Sequence, residues 1–419
     1  MSPPPYKQSR APRRPARDRR PAAVLSVVLV GGVLVFVIGF LAFWVLGSNL
    51  ASGRGFALQW PSAESSAPAA EEQQRMRATE FGFLGVPSTL DLRTFRDLSY
   101  TPVKGLYVTS WIAGINPTMD ALISLVDRTE LNAMVIDVKD ATGAIAYEPD
   151  FPLALEEHLW EGRIRDLQGM MELLHEHQII PIARIVCFQD PLLANARPDL
   201  AVGDVDGGVW KDNQGQAYTN PYKREVWKYL VDLAEDAAKR GFREIQFDYV
   251  RFPTDGPIDE AVFPGANGPH EDAIADFLCY ARERLEPLGV WLSADVFGHA
   301  LDHKGDANIG QQLEKVAKNV DIICPMIYPS HYESGSYGIS NPDRNPFDIV
   351  TFATKDATRR LEGTGAVYRP WLQDFAMPSA YGVTEVKAQI KAVEEQGYSE
   401  WLLWDPRLEY QEGALRPVG

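Results

Sequence analysis

Asp248 and Asp295 are the two residues of this 419-residue chain whose types and positions best suit shared chemistry. Each closes a strand-like run, Asp248 in REIQFDYVRFPTDG (Arg243 to Gly256) and Asp295 in WLSADVFGHALDH. In a strand, Ile245, Phe247 and Tyr249 point to one face and Gln246, Asp248 and Val250 to the other. Burying an ionised Asp costs several kcal/mol unless it is paired or used. Arg251, three residues on, offers the structural alternative of an ion pair closing the loop. Two carboxyls flanking a glycosidic bond can divide the work of hydrolysis. One is protonated to help the leaving group, and one is ionised as nucleophile or base. Neighbouring Asp residues reach that division by themselves, because like charge raises one pKa and leaves the other group ionised.

Other strand-like runs also end in polar groups: Asp137 and Lys139 on one face, with Asp140 following; Arg184 and Asp190; Tyr328 and His331; Gln373 and Asp374; Trp404 and Asp405; the Asp295 run itself carries Ser293 on the same face as Asp295, then His299, Asp302 and His303. Of these, Asp137, Lys139, Arg184, His299, Tyr328, Asp374 and Trp404, together with Arg251, are the candidate substrate-binding residues. Carboxylates accept from hydroxyls and aromatic faces cover sugar rings, so the set suits a neutral, polyhydroxylated ligand. Each candidate has a structural alternative. Arg251 could orient Asp248, Asp137 and Lys139 could form an internal pair, and Trp404 and Tyr328 could simply pack in the core. His299 and His303 stand four apart, but no HxH or HExxH motif accompanies them, so neither metal nor cofactor is expected. Lys139 lacks the basic neighbour that would suit a Schiff-base lysine.

The elements that must position these groups alternate from Val103 onward. Eight strand candidates run Lys104 to Ser110, Ala133 to Lys139, Ile179 to Val186, Glu244 to Val250, Val290 to Phe297, Asp321 to Tyr328, Tyr368 to Phe375 and Trp401 to Asp405. Helical patterns fall near Met119 to Thr129, Ile164 to His177, Lys223 to Arg240, Glu271 to Leu285, Gly310 to Asn319, Phe347 to Leu361 and Thr384 to Glu395. This alternation predicts an α/β protein, a (β/α)8 TIM barrel, whose reactive groups lie at the C-terminal strand ends. A doubly wound open sheet is the competing fold. It would place a Gly-rich phosphate loop after the first strand, where TSWIAGINP stands instead.

Hydrophobic residues make up 45% of the chain and charged ones 23%, with a net charge of −16. Residues 1–21 carry seven basic side chains against Asp18, a net of +6, so the remainder carries −22. That acidity argues against a nucleic-acid partner. The apolar, uncharged run AVLSVVLVGGVLVFVIGFLAFWVL (Ala23 to Leu46) is long enough at 1.5 Å per residue to cross a hydrocarbon core of roughly 30 Å. The expected organisation is a basic cytoplasmic tail (1–21), a transmembrane helix (22–46), a flexible linker (47–79), a cap segment (80–102) and the barrel (103–419). Basic residues before the apolar run predict a cytoplasmic N-terminus and an extracytoplasmic barrel, a single-pass protein of the cell membrane. Cys187, Cys279 and Cys324 show no zinc or CxxC spacing and are expected to be small buried hydrophobes.

The segments KGLYVTSW, VIDVKD, ARIVCF, IQFDYVRFP, SADVFG, CPMIYPSHY, RPWLQDF and LLWD, spanning about Val103 to Asp405, resemble a bacterial family of predicted glycoside hydrolases. FDYVRFP is the most specific piece. The TIM-barrel catalytic domain of that family is distantly related to the α-amylase type. The resemblance implies an Asp nucleophile ending the fourth strand, matched by Asp248, and a Glu acid ending the fifth, matched in place by Asp295. Gln246 stands where the α-amylase type has an Arg two residues before the nucleophile. The expected function is a membrane-anchored, extracytoplasmic glycosidase acting on a cell-wall, capsular or exopolysaccharide glycan. The alternative is a glycan-binding barrel without catalysis.

Overall fold

Eight parallel strands, each followed by a helix except the last, form a closed barrel in the computed structural model, which describes residues 100–114 and 116–418. The strands are β1 (Lys104–Val108), β2 (Ala133–Lys139), β3 (Ile180–Val186), β4 (Glu244–Asp248), β5 (Trp291–Phe297), β6 (Ile322–Met326), β7 (Trp371–Gln373) and β8 (Trp401–Trp404). A two-residue piece, Val367–Tyr368, precedes β7 and pairs with β6. Each strand pairs with the next in sequence, β8 pairs with β1, and the pairing of Trp371 with Met326 joins β7 to β6. No sheet edge is left open among these strands, which answers the choice between barrel and open sheet. The proposed tail, membrane helix, linker and most of the cap lie outside the described residues. Among the described residues no helix is long and apolar enough to cross a membrane.

Among the described residues, one principal helix follows each of the first seven strands: α1 (Asn116–Asp127), α2 (Leu167–Glu176), α3 (Arg224–Lys239), α4 (His270–Leu285), α5 (Leu313–Lys318), α6 (Pro346–Leu361) and α7 (Val383–Glu395), with shorter helices in the connecting segments. Their ends follow local chemistry. Asp166 caps α2 by accepting from the Gly169 N–H, and Pro346 opens α6 where its missing N–H costs nothing. In α3, Glu225 in the first turn and Lys239 in the last complement the helix dipole, while Val226, Leu230, Leu233 and Ala237 recur on the buried face. Burying the Val and Leu side chains among them contributes roughly 1.5–3 kcal/mol each. Cys187 and Cys324 are buried as expected. Cys279 corrects that expectation, being exposed on α4.

Strand alternation sorts the core into two. Ile245 and Phe247 face the helices, whereas Val135, Ile182, Cys324 and Trp371 fill the lumen. The N-terminal end of the lumen is closed by polar bonds. Arg369, fully buried, donates to Glu244 at 2.8 Å and Glu400 at 3.0 Å, and Ser293 donates to Glu244 at 2.6 Å. The chain enters at this end, where the Tyr100 hydroxyl donates to Glu400 at 2.5 Å. At the opposite end, the long segments after β3 and β4 are tied by an antiparallel pairing of Gly203–Asp204 with Ala261–Val262.

Candidate active site

Barrel register brings the candidate carboxyls to one end. Asp137 pairs with Arg184, Val186 with Asp248, and Phe247 with Ala294, so Asp248 and Asp295 follow side by side on adjacent strands. The organising cation is Arg184. Its Nη1 donates to Asp137 Oδ1 at 2.5 Å, and its Nε and Nη2 donate to Asp248 Oδ2 at 3.0 and 2.5 Å. Tyr107, on β1, donates to the other Asp137 oxygen at 2.5 Å. Trp404 stacks on Tyr107 with centroids 3.9 Å apart and also lies 5.0 Å from the Arg184 guanidinium.

The other oxygen of Asp248 accepts from the Tyr249 N–H at 2.6 Å. Tyr249 adopts φ +48°, a left-handed conformation uncommon for a residue with a side chain. Asp248 is thus met by three donors although it is nearly buried.

Asp295 stands in a different environment. It is 1% exposed, accepts from the Trp371 indole at 2.8 Å, and its Oδ2 has no hydrogen-bond partner among the described residues. Burial first, and then the charge of Asp248, push its carboxyl well above the ordinary range, against the opposing pull of Arg184. Burial likewise raises Asp137 to about 6. The Tyr328 phenol is buried and pushed up, with Asp295 and Asp248 adding to the effect of burial, and it packs edge-on to Phe375.

Four of the ten sequence candidates, Asp137, Arg184, Asp248 and Asp295, therefore form one charged cluster, with Tyr328 and Trp404 beside it. The rest lie elsewhere. Lys139 was expected to share a face with Asp137, but an extra residue on β2 shifts the register, so Lys139 pairs with Ile185. Its ammonium is fully buried, donating to the Val186 carbonyl at 2.6 Å and meeting Asp190 at 3.0 Å. Arg251 corrects the alternative in which it orients Asp248. Its donors go to the Phe252 carbonyl and the Thr254 hydroxyl, and it lies 4.8 Å from each of the Tyr249 and Phe297 rings. His299 meets Asp302 at 3.6 Å, and that contact raises its pKa. Asp374 accepts from the Gln411 N–H, and burial followed by the charge of Asp405 raises it to about 8.

Tyr107 and Trp371 were not singled out by the sequence, although both stand in strand runs. The signal was their inward parity on β1 and β7, opposite a strand-end carboxylate. Among the described residues no group of three or more His, Cys, Asp or Glu side chains could hold a metal ion.

A family model described as "Putative glycosyl hydrolase domain" matches residues 105–410. The chain belongs to this family. No curated protein matches the sequence. A hypothetical protein from Ruminiclostridium thermocellum ATCC 27405 is 39% identical, with 46% of this chain and 97% of that chain covered at a TM-score of 0.43. The glycoside hydrolase domain of PgaB (BpsB) from Bordetella bronchiseptica is 12% identical, with 76% of this chain and 100% of that chain covered at a TM-score of 0.56. The second likeness supports the barrel fold.

Proposed function

We propose that this protein hydrolyses O-glycosyl bonds of a cell-wall, capsular or exopolysaccharide glycan, with Asp248 as the ionised carboxylate and Asp295 as the proton donor. The carrying observation is the asymmetry of the pair. Asp248 takes both donors of a buried guanidinium edge and a backbone N–H, whereas burial and the neighbouring charge favour the protonated form of Asp295. Family membership and the barrel support the same reaction class. Anchoring by residues 22–46, with the barrel outside the membrane, completes the proposal and rests on the basic segment before the apolar run.

The test is release of new reducing ends from a panel of bacterial glycans by the full-length protein and by Asp248→Asn. Turnover by the wild type and its loss in Asp248→Asn, with glycan binding retained, is the expected result. Undiminished turnover in the variant would remove Asp248 from the mechanism. Binding by both proteins with cleavage by neither would favour the non-catalytic module.

A further inference from the structure

Trp111 is 57% exposed, and it lies at the end of the barrel that carries Asp137 and Asp248. β1 ends at Val108, and the chain turns at once into the short helix Ser110–Ala113. The Thr109 hydroxyl caps that turn by accepting from the Ile112 N–H. The exposed indole leaves an aromatic face open to a ligand at the end of the barrel where the candidate carboxyls lie.

The indole is backed by a charged side chain. The Arg163 guanidinium lies 4.5 Å from its ring, and that side chain is itself only 3% exposed. Arg163 is fully engaged: Nε donates to Glu161 at 2.9 Å, Nη1 to Asp140 at 2.5 Å and Ser110 at 3.1 Å, and Nη2 to Thr142 at 3.2 Å. Its role is therefore a floor under Trp111 and not a receptor for an anion. The turn is also clamped, since a Cβ on Gly114 would lie 2.0 Å from the Arg163 carbonyl oxygen. Asp140 connects this cluster to the catalytic one, because its charge acts on both Asp137 and Tyr107.

Building on the glycan-cleaving function proposed above, we propose that Trp111 is a sugar-stacking platform over β1 and β2, a distal subsite that selects chains of several sugars over single glycosides. A fixed aromatic face costs little entropy on binding and covers the apolar face of a pyranose. A ring on Trp111 and a bond at Asp248 and Asp295, over β4 and β5, belong to one ligand only if that ligand is extended. Tyr100 is bound at the other end of the barrel, so the chain enters on the face away from this rim.

The test is affinity electrophoresis of the full-length protein, Asp248→Asn to prevent digestion, in gels holding glycol chitin, xylan, galactan or soluble α-glucan. Trp111→Ala and Trp111→Tyr are compared in that background. Retardation by at least one polymer, with Trp111→Ala needing about tenfold more glycan for the same retardation and Trp111→Tyr close to the parent, is the expected result. Equal retardation with and without the indole overturns the platform, as does the absence of retardation on every gel. Reducing-end release by the protein with Asp248 intact is read separately. Binding that depends on Trp111 without cleavage would overturn the glycosidase function and leave the platform standing.

Discussion

Replacing Arg184 by Met removes one cation from between two carboxylates while keeping most of the side-chain volume. Three hydrogen bonds are lost, one to Asp137 and two to Asp248, and the three side chains are 6%, 4% and 6% exposed. Breaking a buried ion pair from one side typically costs about 3–5 kcal/mol, because the remaining charge is left uncompensated. The cost must depend on pH, and its sign is determined. Without the guanidinium the folded-state pKa of Asp137, already raised by burial to about 6, rises further. Above pH 6 the folded variant then holds a proton that the parent has released, and the penalty shrinks as pH falls by about 1.4 kcal/mol per pH unit for each proton of difference. Urea unfolding of both proteins at pH 7 and pH 5, with the slope checked for constancy, measures it. The expected loss is about 3–5 kcal/mol at pH 7, reduced by about 1.4 kcal/mol at pH 5, because the parent's own Asp137 takes up its proton near pH 6. A loss under about 1 kcal/mol at pH 7, or the same loss at both pH values, would refute the reasoning that the Arg184 charge compensates these buried groups and opposes protonation of Asp137.

Asp295→Asn keeps an acceptor for the Trp371 indole but cannot donate a catalytic proton, so turnover should fall by about 10²–10⁴, most steeply on substrates with poor leaving groups. Equal losses on aryl glycosides with good and poor leaving groups would assign the acid role elsewhere. Asp374 has a folded pKa raised to about 8, so the stability it contributes is fully present below its unfolded pKa and is lost as pH rises towards 8. Asp374→Asn should flatten the fall in unfolding free energy between pH 6 and pH 8 by about 1.4 kcal/mol per unit, and an unchanged slope would show that another group titrates there.

The barrel was legible because its strands read as apolar runs with polar termini. β2 is matched residue for residue, and the other strands differ by trimmed ends, as where Asp248 closes β4 although the apolar run continues to Val250. Inward parity correctly grouped Gln246 with Asp248 and Ser293 with Asp295. It failed at Lys139, because a bulge is a two-strand property that one strand's residues do not announce. It failed differently at Arg251, where proximity in sequence suggested a partner that geometry gives to Arg184, 64 residues away. Gln246 explains that exchange. It pairs with Arg184 in the register, so a guanidinium reaches Asp248 from the third strand and not from its own loop. Trp111 was passed over because exposure cannot be read from a sequence in which most Trp residues serve the core.

The acid role proposed for Asp295 is supported by charge counting as well as by its immediate surroundings. Asp137, Asp248 and Asp295 are all nearly buried, and Arg184 is the cation bonded to the first two. Three ionised carboxyls against one guanidinium would leave two uncompensated negative charges at low dielectric, a state that protonation relieves at far smaller cost. The proton should go where ionisation is least supported. Asp137 has Arg184 and the Tyr107 hydroxyl, and Asp248 has Arg184 and a backbone N–H, whereas Asp295 has a neutral indole on one oxygen and no hydrogen-bond partner among the described residues on the other. In the proposed mechanism Arg184 thus does more than orient a carboxylate: by bonding Asp248 and not Asp295, it distinguishes the surroundings of two identical side chains.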